Sequence, residues 1–227
     1  MRLSMIRRYP FTSVIVLLLS AWLSAGMSTA VLAAPDPTEQ LRPFVDKILG
    51  ILTEETLQGE ENRGKRRVKV MDVAHERFDF EEMSKRVLGS QWRQLSNSEQ
   101  GQFVDLFTKL LEHAYIGKIE NYSKQKVVFK GQRIKGDRAQ VETELVDKEM
   151  VLPVSYIMIL KGSEWMAYDI VVEGVSLIRN YMEQFREIIR KDGYASLVKQ
   201  IEDKVHELEA NAGKPDTTDL LIDKKRS

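Results

Sequence analysis

Gly174-Val175-Ser176 is the first place in this chain where residue types and spacing suggest chemistry. A serine two residues after a glycine, at a strand-to-helix turn, resembles the start of a nucleophile elbow, and His206 follows it as a candidate base. The closing glycine of such an elbow is replaced here by Ile178. Asp169, with Glu173 nearby, is a second candidate: a carboxylate lodged in a pocket could act as a general base, as in cone-shaped α+β isomerases. The simpler reading is a solvated or hydrogen-bonded carboxylate. His75, His113 and His206 stand far apart in sequence, and none has a metal-ligand spacing to another. With no cysteine in the chain, thiol chemistry is excluded. No glycine-rich loop is arranged to cradle a phosphate. Arg63, Lys65, Arg66, Arg67 and Lys69 form a basic run, which reads either as a wet helix face or as a docking surface for an acidic partner or anionic lipid headgroups.

The elements that must position these residues follow from periodicity. From Met166 to Val172 the apolar residues Met166, Tyr168, Ile170 and Val172 alternate, as on one face of a strand, leaving Trp165, Asp169 and Glu173 to the other. At Gly174 the period lengthens, and Val175, Ile178, Tyr181, Met182 and Phe185 mark the stripe of an amphipathic helix. Upstream, four strands are expected over 126–134, 138–146, 150–160 and 164–172, with connections short enough for antiparallel hairpins. The second alternates Val141, Thr143 and Leu145 against Gln140, Glu142 and Glu144, so one sheet face meets water.

Helices precede and follow this meander. Thr38 is the expected N-cap of the first, and Leu41, Phe44, Val45, Ile48, Leu49 and Leu52 are its apolar positions. A second, over 63–75, carries Val68, Met71, Val73 and Ala74. Asp79 with Glu82, and Ser96 with Glu99, have capping-box spacing, and the latter pair opens the longest helix, to about Asn121. A last helix carries Leu197, Val198, Ile201, Val205 and Leu208. The layout is α+β, with a curved antiparallel sheet of about four strands packed against several helices.

The N-terminal stretch has Arg2, Arg7 and Arg8, then an apolar run from Val14 to Leu19, then small residues ending in Ala33-Ala34. That is the pattern of a cleavable secretory signal peptide over 1–34, which sends the protein to the periplasm. The domains expected are therefore the signal, one α+β domain over 35–210, and a disordered tail over 211–227. The full chain balances 34 basic against 34 acidic residues, and loss of the three signal arginines tips it acidic, which argues against nucleic acid as a partner.

Together, several stretches resemble the MlaC family, the periplasmic phospholipid-binding component of the Mla lipid-transport pathway, also known as the toluene-tolerance auxiliary family. They are Phe78-Asp79-Phe80 with Met83, Val87-Leu88-Gly89 with Trp92 and Arg93, and Phe103, Phe107, Leu110, Leu111 and Tyr115. Beyond these come Trp165, Tyr168-Asp169, Glu173-Gly174-Val175-Ser176-Leu177, Asn180-Tyr181, Phe185, Gly193 and Leu197. Many members place an arginine after the tyrosine where this chain has Met182. The resemblance implies a hydrophobic cavity holding the acyl chains of a phospholipid as cargo, with no cofactor, no metal and no bond chemistry. It implies a monomeric carrier between the outer-membrane MlaA lipoprotein complex and the MCE-domain subunit of the inner-membrane Mla ABC transporter, maintaining outer-membrane lipid asymmetry. A branch of the family sits in hopanoid gene neighbourhoods, so a hopanoid cargo is the alternative within it. The expected lining is Phe107, Leu111 and Tyr115 of the long helix, Tyr156, Met158, Tyr168, Ile170 and Val172 of the sheet, and Val175, Ile178 and Tyr181 after the turn.

Overall fold

The computed structural model describes residues 35–121, 125–148 and 150–211. The expected signal peptide and all but the first residue of the expected tail lie outside them. Helix α1 (Pro37–Thr53) starts two residues earlier than its expected cap, Thr38, would place it. Asp36 is the cap, its carboxylate accepting the Thr38 and Glu39 N–H groups at 2.8 and 3.1 Å. Pro37 then fills the first helical position, where a fixed φ and a missing N–H cost nothing. Two single 3-10 turns lead into α2 (Arg63–Arg77), whose buried residues are Val70 and Val73. Val68, expected on the apolar side, is exposed, because two residues along a helix is more than half a turn.

Both expected caps form, one of them altered. Ser96 and Glu99 bond reciprocally at the start of α4 (Asn97–Asn121), at 2.8 and 3.3 Å. Asp79 accepts the Glu82 N–H at 3.0 Å to start α3 (Phe80–Leu88), but its own N–H donates to the Ala167 carbonyl at 2.8 Å and Glu82 turns to Arg86.

The sheet is an antiparallel meander in the order β1 (Lys126–Lys135), β2 (Arg138–Val146), β3 (Val151–Lys161), β4 (Glu164–Val172) and β5 (Val175–Ser176). The fifth strand was not expected. Glu173 and Gly174, both at positive φ, make a two-residue turn that pairs Val172 with Val175, so the helix starts only at Leu177. Helices α5 (Leu177–Asp192) and α6 (Tyr194–Ala210) complete the chain, broken apart by Gly193 at φ 84°.

The expected alternation of β4 fails at Tyr168. Asp169 pairs with Ile157 and Ala167 with Met158, so Tyr168 is an extra residue in a β-bulge. Before the bulge Trp165 and Ala167 lie on the face that α1 covers, and after it Ile170 and Val172 return to that face, while Tyr168 joins the helical cluster on the opposite side. Trp165, expected on the polar face, is fully buried, its indole Nε1–H donating to the Pro35 carbonyl at 2.5 Å.

Three apolar clusters result. The largest joins α3, α4, α5 and α6 to Ile157, Ile159 and Tyr168 of the sheet. A second packs α1 and Val73 on the other sheet face, against Val141, Met158, Trp165 and Ala167. A small third holds Leu52, Val70 and Ile116.

Candidate functional site

Asp169 and Ser176 serve the fold. The Ser176 hydroxyl donates to Asp169 Oδ2 at 2.5 Å and accepts the Arg179 N–H at 3.0 Å, and Asp169 Oδ1 accepts the Ile178 N–H at 3.0 Å. The pair caps α5 and fastens it to β4. Burial pushes the Asp169 carboxyl above its ordinary range, and the Ile178 and Ser176 hydrogen bonds only partly oppose that. Among the described residues no imidazole is a partner of Ser176. His206 instead lies 3.4 Å from Glu209, whose other oxygen is 3.5 Å from His113. The two histidines, far apart in sequence, thus meet at one carboxylate between α4 and α6. No group of histidine and carboxylate side chains able to hold a metal occurs among the described residues.

The eleven residues expected to line one cavity divide between the two sides of the sheet. Phe107, Leu111, Tyr115, Tyr168, Ile178 and Tyr181 belong to the helical cluster. Phe107 is completely buried, with Tyr181 edge-on at 5.3 Å and Phe185 at 5.7 Å between ring centroids. That is the packing of a filled core. The Tyr115 hydroxyl is buried beside that of Tyr181 without a hydrogen bond of good geometry, and burial raises both phenols, Tyr181 to about 12. Tyr168 is held between two guanidinium groups, with Arg86 3.9 Å and Arg138 5.4 Å from its ring centroid.

Tyr156, Met158, Ile170, Val172 and Val175 stay together. Cross-strand partners share a face, and the register pairs Tyr156 with Ile170, Val154 with Val172, and Val172 with Val175. On the same face Tyr156 lies opposite Val141, Val154 opposite Thr143 and Leu152 opposite Leu145. Thr143 spends its hydroxyl on the Val154 carbonyl at 2.9 Å, so it adds no free polar group to this face. Burial pushes the Tyr156 phenol up to about 12. Leu152 and Val154 are buried, yet neither belongs to any of the three packed clusters.

This face runs out at the sheet end formed by the starts of β1 and β3, the ends of β2 and β4, and β5. Val128, Met150, Val151, Val172 and Val175 are exposed there, Val151 and Val175 at 57%, and Ile119 is exposed in the last turn of α4 leading toward it. The fold therefore presents an apolar sheet face ending in an apolar rim. Hydropathy alone did not single out that end, because its residues come from five elements and one loop. Open clefts of about 690 and 340 Å³ lie elsewhere, beside α2 and beside Trp92, and include none of the expected lining residues.

Comparison with known proteins adds what geometry does not. A family model described as MlaC protein matches residues 42–203. The intermembrane phospholipid transport system binding protein MlaC of Haemophilus influenzae is 27% identical over 130 residues, covering 55% of this chain. The match spans 61% of that relative's own length. A solved structure of a phospholipid-binding protein from Ralstonia solanacearum, in complex with a phospholipid, superposes with a TM-score of 0.68 over 77% of this chain and 99% of the other. At 24% identity that likeness establishes a shared fold.

Proposed function

The chain belongs to the MlaC family, and from that membership we propose that it is a periplasmic carrier that binds a phospholipid by its acyl chains and moves it between membranes. The observation that carries this reading is the sheet face of Tyr156, Met158, Ile170 and Val172 ending in the rim at Val172 and Val175. The tails lie against this face, and Phe107, Leu111, Tyr115, Tyr168, Ile178 and Tyr181 back the sheet from its other side. The relative from Haemophilus influenzae is a phospholipid transport binding protein, and the Ralstonia solanacearum structure holds a phospholipid.

Energetics require enclosure. Exposing a two-chain phospholipid of about 30 methylenes to water costs on the order of 25 kcal/mol, at roughly 0.8 kcal/mol per CH₂. Only a deep apolar space offsets that, and the sheet must part from the helices covering this face to admit the tails. Transfer then requires comparable affinity on the carrier and on its partners, with no covalent step. The donor and acceptor in this reading are the MlaA lipoprotein complex and the MCE-domain subunit of the Mla transporter, and the carrier is monomeric. Among the described residues no helix is long and apolar enough to cross a membrane.

Native mass spectrometry of the signal-less protein purified from a bacterial periplasm, followed by solvent extraction, tests this. A stoichiometric mass excess that extracts as phospholipid is expected. An apo mass overturns the reading, and an extract containing hopanoid in place of phospholipid overturns its cargo.

A further inference from the structure

Three arginines of α2 converge on one carboxylate of α4. Glu120 Oε1 accepts from Arg66 Nε at 3.0 Å and lies 2.8 Å from its Nη2, while Oε2 lies 3.3 Å from both Arg63 Nε and Arg67 Nη2. Positions 63, 66, 67 and 70 share one helix face, and Val70 is buried there against Leu52 and Ile116. The cluster is consequently withdrawn from water, with side-chain exposures of 11% for Arg66, 17% for Arg67 and 9% for Glu120.

Its charges do not balance. Arg66 completes its set through the Leu57 carbonyl at 2.6 Å, and Arg63 reaches the exposed carboxylate of Glu60 at 3.3 Å. Arg67 shares Glu120 with the other two, and its buried Nε–H has no acceptor among the described residues. A buried guanidinium requires opposite charge and acceptors for its N–H groups, and a carboxylate divided three ways supplies too little of both. The first turn of α2 contains no acidic side chain, so the positive end of the helix dipole adds to the excess. The open cleft beside α2 lies against Gly64, Lys65, Val68 and Lys69 on the other side of the helix, so solvent reaches the cluster through the exposed parts of Arg63 and Arg67, at 22% and 17%. Ile119, adjacent to Glu120, is exposed, which places apolar surface beside the cations.

We infer that Arg63 and Arg67 form a binding site for an oxyanion of the phosphate class, with the free Arg67 Nε–H as its leading donor. The phosphodiester of a lipid headgroup and inorganic phosphate share this chemistry. Only the first source rests on the carrier reading.

Isothermal titration of the delipidated mature protein with inorganic phosphate at low ionic strength reads the site directly. Saturable binding is expected. Arg67→Gln weakens it by about tenfold or more, the equivalent of one lost hydrogen bond to a charged group, and Glu120→Gln tightens it by removing the competing charge while keeping an acceptor. Arg63→Gln, which alters a more exposed residue, replaces Arg67→Gln if the latter does not fold, and weakens binding in the same direction. Absence of saturable binding, or the same affinity in all variants, overturns the site. Phosphorus NMR of protein loaded with phosphatidylglycerol separates the sources: a headgroup signal that differs between wild type and Arg67→Gln assigns the site to lipid, and identical signals with retained phosphate binding assign it to the free ion. Failure to load lipid leaves the phosphate titration intact, so the two readings fail separately.

Discussion

The Ser176 hydroxyl sits 2.5 Å from Asp169 Oδ2, and that one contact turns the two most reactive-looking residues of the chain into a fastener between β4 and α5. Asp169→Asn should cost about 1–3 kcal/mol at neutral pH, because an amide NH2 replaces one of the two oxygens that accept from Ser176 and Ile178 and leaves a buried donor unpaired. The cost should also depend on pH. Burial raises the folded-state pKa of Asp169 above its ordinary value of 3.8, so its stabilising contribution is full below that value and declines as pH rises through the folded pKa. The gap between wild type and Asp169→Asn should therefore be wider at pH 3.5 than at pH 7. Urea midpoints of both proteins across that range decide it, and a gap that widens toward neutrality contradicts the assignment.

Val172→Glu separates lipid binding from folding. Val172 is exposed at the rim, so a carboxylate there should change stability by less than about 1 kcal/mol. With tails against the same face, it would be buried unpaired among them, and lipid occupancy should be lost. Thermal unfolding together with native mass spectrometry checks both halves. Unchanged occupancy removes this end of the sheet from the site.

Phe107→Ala should behave in the opposite way. Its ring is enclosed by Phe103, Tyr181 and Phe185, and truncation leaves a cavity that costs about 3–5 kcal/mol. Any loss of lipid should follow the loss of folded protein in a denaturant titration. A stable variant that has lost its lipid would return Phe107 to the lining.

Alkaline titration should resolve the buried phenols. Tyr156 and Tyr181 are pushed up to about 12 by burial, so they stay protonated in the native protein as pH passes the ordinary value of 10. Their contribution to stability is full below pH 10 and is lost as pH rises toward 12. Absorbance at 295 nm should show these tyrosines ionising only with unfolding, and Tyr156→Phe should remove one of the delayed groups. Ionisation of every tyrosine near pH 10 in folded protein would mean that water reaches them.

Local rules carried much of the fold. The Ser96–Glu99 cap, the short turns at Gly136 and Gly162, and the alternation of β2 are written in neighbouring residues, and the backbone obeys them because nothing distant competes. The same period-two rule kept Ile170 and Val172 together, and the register puts that pair on the face of Tyr156 and Val154. It failed where the competing interaction is remote. A single extra residue at Tyr168 moves that ring to the helical cluster and brings Trp165 onto the α1 face, and an unpatterned insertion of one residue leaves no periodic signal. The Glu82 half of its capping box yields to Arg86 while the Asp79 N–H goes to Ala167. The helical spacing of Arg63, Arg66 and Arg67 is visible in the chain, but the Glu120 that gathers them is more than fifty residues away. Sequence thus determined the elements, their order and their apolar stripes, since these depend on contacts within a turn or a strand. Tertiary structure decided which stripes meet, because burial is settled only when distant surfaces compete for the same partner.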